Sequence, residues 1–347
     1  MVSVGRSWTG ACEVNVAIED AGEVLALAYP ALVGMPEPGD RALLNTGALD
    51  LGLGTGGYAL VVALPDRLPS DPQPGPGHLV KARYTPLQAT VLGADEQESA
   101  YHELLRDADD LTGMPVVVAD LHSALPAVLA GLRDSAPDAS PVYVMTDGGA
   151  LPLWFSRTVS GLREAGWLSG SVTVGQAFGG DAEAVTLHTG LLAARHVLRA
   201  DVAIVTQGPG NLGTGTRWGF SGVACGEAVN AAAVLGGRPV ASLRVSSADT
   251  RERHRGVSHH SLTAYGQVAL APADVVVPVL DGEFGETVRR QARELTRHRV
   301  VEVAVDGLSA ALESVPVRMS TMGRGLTEDL AYFLAAAAAG RHAASLL

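Results

Sequence analysis

The chain has 347 residues and a formal net charge of -12 at pH 7, and 47% of its residues are hydrophobic while 18% are charged. This composition excludes a disordered chain, and the length is enough for two domains with a well-buried core. The two cysteines, Cys12 and Cys225, exclude a disulfide framework, and neither belongs to a metal-binding spacing.

Targeting signals and nucleic-acid binding are both disfavoured by the sequence. The first residues lack the apolar segment of a signal peptide, and no apolar run approaches the roughly eighteen residues of a membrane span. Residues 1–110 contain 6 basic and 16 acidic residues, so they offer no basic face for the phosphates of a nucleic acid. We therefore expect a cytoplasmic protein that binds neither a membrane nor nucleic acid.

Short strands punctuated by glycine and proline predict an all-β domain over residues 1–97. The predicted strands are 12–18, 24–28, 42–45, 58–64 and 79–83. Strands at such close intervals, joined by the turn at 19–22 and the proline-rich connection at 65–77, are typical of a small barrel or sandwich. Lys81 is the only lysine, and we interpret it as a solvated charge near the domain boundary.

Over residues 98–347, apolar runs alternate with helical segments. The predicted strands are 115–119, 142–145, 172–174, 202–206, 240–245, 275–279 and 300–305, and the predicted helices are 124–132, 153–165, 182–198, 223–235, 262–270 and 284–295. Valine-rich runs without polar alternation indicate strands buried on both faces, which predicts a Rossmann-like, mostly parallel α/β domain. A last helix over 326–347 is expected to pack on this domain or on a partner subunit, so the protein could be a monomer or a homo-oligomer.

Six segments of the chain resemble the landmarks of domain-of-unknown-function family 3866. They read LNTGALDLGLGTGGYALVV, GHLVKARYTPLQ, YVMTDGGALPL, AFGGDAEAVTLHTGLLAARH, VTQGPGNLGTGTRWGFSG and DTRERHRGVSHHSLTA. The segments follow one another through both predicted domains, so the resemblance covers almost the whole chain. It implies one coherent two-domain unit, but it implies no activity and no catalytic residue.

Polar residues follow five consecutive predicted strands of the second domain. They are Asp120 and His122; Asp147, Gly148 and Gly149; Gln176, Gly179, Gly180, Asp181 and Glu183; Gln207 with the glycine loop that follows it; and the segment 251–260. In an open parallel sheet, ligands bind beyond the carboxyl ends of the strands. We therefore expect the ligand site at this edge of the sheet and not in the N-terminal domain.

The segment 251–260 concentrates positive charge on a strand-to-helix loop, against the acidic trend of the chain. We expect Arg251, Arg253 and Arg255 to hold the charge of a small phosphate- or carboxylate-bearing ligand. His254 or His259 is expected to transfer a proton as general acid or base.

The glycine loop reads G-x-G-x-x-G at Gly208, Gly210 and Gly213, directly after a predicted strand. Pro209 interrupts the pattern, and the first acid near the next strand end is Asp249, which is too distant for a dinucleotide fingerprint. A backbone site for an anion fits better, because glycines permit close approach to a ligand. We expect these glycines to assist the basic segment in binding.

The sequence does not identify a cofactor, and three interpretations of the histidines and aspartates remain. In the first, they bind a divalent metal. His254, His259 and His260 could ligate the metal with Asp147 or Asp181 completing the shell, although no established zinc spacing matches. In a second interpretation, Asp147 and Asp181 orient the substrate, and His260 contacts it. In a third, the histidines are partly buried structural residues behind a helix start.

Two functions therefore remain open. The first is an enzyme that acts on a small anionic ligand at the strand ends. The second is a non-catalytic protein that binds a metabolite through the same loops and regulates a partner. Nothing in the sequence identifies the substrate.

Overall fold

An open, mixed sheet of five strands forms most of the N-terminal region. The structure is a computed structural model and describes residues 1–19, 22–70 and 75–347, so the predicted turn at 19–22 and connection at 65–77 fall partly outside the described residues. The strands are β1 (Ser3–Trp8), β2 (Ala11–Ile18), β3 (Gly22–Ala28), β4 (Leu43–Asn45) and β5 (Ala59–Ala63), and the two short helices are α1 (Pro30–Val33) and α2 (Gly47–Asp50).

The spatial order of these strands is β1-β2-β3-β5-β4, and the described residues contain no pairing between the two edge strands. The barrel-like form that we predicted is therefore corrected to an open sheet. The edge strand β4 has only three residues, so it offers few backbone groups with which to pair to the opposite edge strand β1. The sheet instead packs against the α/β domain, where the indole N–H of Trp8 donates to the Trp154 backbone carbonyl at 2.7 Å.

Eight parallel strands form the large sheet of the second domain. They are β8 (Pro115–Ala119), β9 (Pro141–Thr146), β10 (Gly170–Thr173), β11 (Ala182–Glu183), β12 (Val202–Gln207), β13 (Arg238–Ser242), β16 (Asp274–Val279) and β17 (Arg299–Ala304). Their order is β11-β10-β9-β12-β8-β13-β16-β17, and every pairing is parallel. Strand β8 thus lies between β12 and β13, so the carboxyl ends of strands distant in sequence meet there.

Alternate residues of the central strands face two separate hydrophobic cores. In β8, Val116 and Val118 belong to one core, and Val117 and Ala119 belong to the other. Both sets are fully or almost fully buried, because helices cover the sheet on both faces. This arrangement confirms the predicted parallel α/β sheet and explains why its strands lack polar alternation.

Helices surround the sheet and connect its strands. They are α3 (His102–Leu105), α4 (Leu125–Ser135), α5 (Arg157–Glu164), α6 (Leu187–Leu192), α7 (Ala224–Val234), α8 (His259–Thr263), α9 (Gly282–Ala292), α10 (Leu308–Glu313) and α11 (Leu330–Ala344). Three short antiparallel pairs lie outside the two sheets: β6 (Leu79–Lys81) with β7 (Ala89–Val91), β14 (Val245–Ser246) with β15 (Gly256–Val257), and β18 (Ser320–Thr321) with β19 (Arg324–Gly325). No described helix is both long enough and apolar enough to span a membrane.

The C-terminal helix α11 is part of the core of the second domain. It packs closely on α4, where a Cβ atom on Gly340 would lie 1.9 Å from the Val128 carbonyl and one on Gly131 would lie 1.8 Å from the Ala337 carbonyl. Only glycine fits at both positions, and the alanine run of α11 continues the close contact. The predicted packing on the second domain is thus confirmed.

The predicted helix 182–198 is wrong at its start. Residues 182 and 183 form strand β11, and helical structure begins only at Leu187. Lys81 is also not the solvated charge that we expected, because it is 2% exposed and lies against β11. Its hairpin, β6 and β7, therefore packs on the α/β domain.

Candidate functional site

A buried carboxylate lies where the central strands end. Asp120 follows β8, and its Oδ2 atom lies 3.2 Å from Nδ1 of His260 and 3.5 Å from Nη1 of Arg244. Gln207, the last residue of β12, donates from its side-chain amide to the Asp120 backbone carbonyl at 3.1 Å. Arg244 follows β13, so three neighbouring strands bring these groups together.

Arg244 connects Asp120 to a second acidic group. Asp249 lies 3.8 Å from Nη2 of Arg244 and accepts two hydrogen bonds from the Arg251 guanidinium, at 2.9 and 2.8 Å, and one from the Arg251 backbone N–H at 3.0 Å. Arg324 donates to Asp249 at 3.3 Å and to Asp329 at 3.0 Å. The Arg251 guanidinium holds the pKa of the Asp249 carboxyl well below its usual range. Arg251, which we expected to hold the ligand, is thus engaged by an internal carboxylate.

Three imidazoles pack against one another beside Asp120. The ring centroids of His254, His259 and His260 are separated by 4.9, 4.8 and 4.5 Å, and one ring nitrogen of each lies within 4.8 Å of the other two. Ser258 Oγ lies 2.7 Å from Nδ1 of His254, and it accepts the backbone N–H of His260 at 3.2 Å, which caps helix α8. Phe220 stacks on His260 with 3.7 Å between ring centroids. The helix start and this stacking fix the ring positions.

Burial favours the neutral form of two of these imidazoles. Desolvation lowers the pKa of His254 to about 3, with Arg244 as a further cause. Desolvation also lowers the pKa of His259 to about 4, with His260 as a further cause. At neutral pH each ring therefore carries a lone pair on one nitrogen, which is the form that accepts a proton or binds a metal.

Several buried polar atoms of this network have no hydrogen-bond partner among the described residues. They are Asp120 Oδ1, Gln207 Oε1, His259 Nε2 and Asp329 Oδ1. Leaving a buried donor or acceptor unpaired costs about 1–3 kcal/mol, and native proteins contain few such atoms. Four of the buried side-chain atoms without partners therefore lie in this one network.

A cleft of about 480 Å³ opens beside His259. Its charged lining consists of Arg217 from the glycine-rich loop, Arg253 from the basic segment, and one acid, Glu294. Neither guanidinium forms an ion pair with any residue that the structure describes. The cleft therefore offers two unpaired positive charges next to the imidazole cluster.

The structure separates the three predicted arginines. Arg253 lines the cleft, and Arg251 is paired with Asp249. Arg255 is exposed to solvent and does not line the cleft. The three predicted histidines lie together, with His259 in the cleft and His254 and His260 buried beside it.

The predicted glycines shape the loop after β12. The N–H of Gly208 donates to the Thr146 carbonyl at 3.2 Å, and a Cβ atom on Gly208 would lie 2.5 Å from the Ala150 carbonyl. Gly210 has a φ of 95°, which favours glycine, and Gly213 forms a bridge with Phe220. None of the three lines the cleft, whereas Gly215 and Arg217 from the same loop do.

The two predicted aspartates lie apart from the histidines. Asp147 follows β9 and is exposed, and its carboxylate accepts the Gln176 backbone N–H at 2.8 Å. Asp181 pairs with Arg163 at 2.8 Å and accepts the Ser171 backbone N–H at 2.8 Å. Because the chain turns back between β10 and β11, Asp181 lies beside the first half of β10. Its expected position at the carboxyl edge is therefore wrong.

Sequence reasoning places Asp120 at a strand end but assigns it no role, and it does not single out Arg244 or Asp329. Arg244 gives one signal, because it is the one charged residue within the predicted apolar strand 240–245. Asp120, which contacts Arg244, lies 124 residues earlier in the chain. The two meet only because their strands are neighbours in the sheet, and the sequence does not reveal that order.

The family model described as "Protein of unknown function (DUF3866)" matches residues 25–340, nearly the whole chain, and the chain therefore belongs to this family. The predicted resemblance is confirmed. No curated protein and no solved structure matches the chain.

Proposed function

For this member of a family without an assigned activity, we propose an enzyme whose substrate is a small phosphate- or carboxylate-bearing molecule bound in the 480 Å³ cleft beside His259. The observation that carries the proposal is the pairing, in one cleft, of two arginines without ion-pair partners among the described residues and an imidazole with an unpartnered, buried Nε2 atom.

The charge distribution supports an anionic ligand. The chain has a net charge of -12, yet Arg217 and Arg253 line one cleft with Glu294 as the opposing acid. Guanidinium groups match phosphate and carboxylate groups with two parallel hydrogen bonds. An anion between the two arginines would relieve their mutual repulsion, which is a reason to expect selective binding there.

The imidazole cluster supports catalysis in addition to binding. His259 reaches the cleft with a neutral ring, and His260 is oriented by Asp120 through a 3.2 Å contact at Nδ1. A carboxylate that orients an imidazole is a recurring part of sites that transfer protons or bind metals. A protein that only senses an anion would need the arginines but not this arrangement.

The first experiment measures the thermal stabilisation of the full chain by inorganic phosphate in the presence of EDTA. One charged hydrogen bond contributes about 1.5–3 kcal/mol, so Arg253→Ala or Arg217→Ala should weaken phosphate binding roughly tenfold to a hundredfold. Arg318→Ala is the control, because Arg318 is exposed in the same domain and does not line the cleft. Equal stabilisation of all three variants by phosphate would contradict the proposal.

A second experiment separates an enzyme from a binding protein. A panel of phosphate esters and carboxylate esters is screened for turnover by the parent and by His259→Ala. Turnover that His259→Ala loses, while its phosphate binding in EDTA is retained, supports the enzyme. Binding that depends on Arg253, without turnover of any compound that the protein binds, would favour the non-catalytic alternative.

A further inference from the structure

We propose that His254, His259 and His260 bind one divalent transition-metal ion of the zinc class at the inner end of the cleft. This inference goes beyond the anion site, because it requires neither arginine of the cleft. It rests on the ring geometry, on the groups that hold the rings, and on one unpartnered atom.

The ring geometry is close to that of a three-histidine metal site. One nitrogen of each ring lies within 4.8 Å of the other two. Zinc binds imidazole nitrogen at about 2.0–2.1 Å in tetrahedral sites, so bound nitrogens lie roughly 3.4 Å apart. The remaining difference is at most about 1.4 Å, and rotation about the side-chain bonds of His259 can shorten it, because His259 Nε2 has no hydrogen-bond partner among the described residues that would hold this ring in place.

The hydrogen bonds at the other ring nitrogens leave suitable atoms for the metal. Nδ1 of His254 lies 2.7 Å from Ser258 Oγ, and Nδ1 of His260 lies 3.2 Å from Asp120 Oδ2. Nη1 of Arg244 also lies 3.3 Å from Nδ1 of His260, but this guanidinium has the carboxylates of Asp120 and Asp249 as acceptors. With hydrogen on Nδ1, His254 donates to Ser258 Oγ and His260 donates to Asp120 Oδ2, and both rings present a lone pair at Nε2. Histidines that bind metals are commonly oriented by an oxygen acceptor of this kind.

His259 supplies the observation that distinguishes a metal site from packed core histidines. Its Nε2 atom is buried and has no hydrogen-bond partner among the residues that the structure describes. A structural histidine is expected to pair such an atom with a carbonyl or hydroxyl group, as His122 does with Tyr143 and Ser156 at 3.0 and 2.8 Å. A metal ion would satisfy His259 Nε2 directly.

The donor set indicates the class of metal. Imidazole nitrogen suits zinc, cobalt, nickel and copper, whereas magnesium and calcium prefer oxygen ligands. Three neutral ligands leave the full charge on the ion, and a tetrahedral ion would keep one position open. His259 also lines the cleft, so the ion would lie close to a ligand held by Arg253.

A second group of metal-capable residues among those described, His78 with Glu96 and Glu98, gives no comparable support. His78 is exposed, and its Nδ1 already contacts Glu96 at 3.1 Å. None of its ligand atoms is among the buried atoms without partners.

The test uses the full chain after dialysis against EDTA. Cobalt chloride is titrated while visible absorption is recorded, and zinc content is measured by mass spectrometry after reconstitution and desalting. We expect one equivalent of either metal per chain and the intense visible bands of tetrahedral cobalt. Absence of stoichiometric binding to the parent would overturn the proposal, whatever any variant does.

Two variants and a control locate the ion. His259→Asn should weaken metal binding by more than about a hundredfold, and Asp120→Asn should weaken it by about 10–100-fold, as expected for a residue that orients a ligand. His188→Asn is the control, because His188 is exposed and lies outside the cluster. Unchanged affinity in His259→Asn would overturn the proposed position.

The same preparations distinguish this inference from the proposed function. If phosphate binding in EDTA depends on Arg253 but no metal binds, only the metal site is wrong. If metal binds to the histidines but phosphate binding does not depend on Arg253, only the anion site is wrong.

Discussion

Two buried charged clusters on the same parallel sheet differ in how completely their polar atoms are paired. In the first, Lys81 Nζ donates to the carbonyls of Ala177 and Ala184 at 3.0 and 2.9 Å and lies 3.5 Å from Glu183 Oε2. The Glu183 carboxylate also accepts the Thr173 hydroxyl at 2.7 Å. All three ammonium hydrogens therefore have an acceptor within reach.

The second cluster contains Asp120, Arg244 and the three histidines. It has ion pairs of its own, but Asp120 Oδ1 and His259 Nε2 are buried without partners among the described residues. The difference separates two roles for buried charge. We interpret the fully paired cluster as one that fastens one element to another, and we propose that the incompletely paired one binds a ligand.

The largest effect expected from this comparison is on stability, at Lys81. Lys81→Met leaves the Glu183 carboxylate buried without its cation, which should lower the free energy of unfolding by roughly 3–5 kcal/mol. The double variant Lys81→Met/Glu183→Gln should recover part of that loss, because glutamine removes the buried charge and its carbonyl still accepts one of the two hydrogen bonds that Glu183 receives from Thr173 and Gly179. Urea unfolding measures both.

The matched control for this experiment is Arg41→Met, which removes a surface ion pair with Asp66 whose side chains are 78% and 59% exposed. Its expected cost is below about 1 kcal/mol. If Lys81→Met costs no more than Arg41→Met, the first cluster does not fasten the hairpin to the sheet.

A smaller effect is expected on the pH dependence of stability, through Asp249. Arg251 lowers the pKa of Asp249 in the folded protein below the unfolded value of about 3.9. A carboxyl shifted in this direction stabilises the fold above about pH 4, and the stabilisation is lost as the pH falls through the folded pKa. Asp249→Asn should cost about 1.5–3 kcal/mol at pH 7 and should flatten the decrease in melting temperature below pH 4. If the melting temperatures of the parent and the variant fall equally as the pH is lowered below 4, Asp249 does not contribute to the pH dependence of stability.

The smallest effect on stability is expected from substitution of His259, although the same substitution should strongly weaken metal binding. His259→Leu removes a buried nitrogen without a partner, so the metal-free protein should change in unfolding free energy by less than about 1 kcal/mol, or become more stable. Urea unfolding in EDTA measures this. A loss of several kcal/mol would mean that His259 is a structural residue, like Lys81.

The sequence was sufficient to predict the parallel sheet, because strands such as β8 and β12 are continuous apolar runs buried on both faces. It also indicated the histidine cluster, since His254, His259 and His260 lie close together in the chain. It did not indicate Arg244 with Asp120, because their contact depends on the order of the strands. Asp181 was misplaced because a tight return of the chain makes β11 follow β10 directly.

The division into domains at residue 97 stays a prediction. The hairpin that contains Lys81 precedes residue 97, but it packs on the α/β domain through β11. A fragment that begins after this hairpin would leave Glu183 without its cation. For this reason, we expect a fragment that begins at residue 75 to be more stable than one that begins at residue 98.

The most direct test of the functional assignment is a crystal structure of the protein soaked with zinc and phosphate, with anomalous scattering recorded at the zinc absorption edge. We expect one anomalous peak within about 2.1 Å of a ring nitrogen of His254, His259 and His260, and phosphate density at the Arg253 guanidinium. Zinc and phosphate bound only elsewhere, with the three imidazoles still packed on one another, would contradict the assignment.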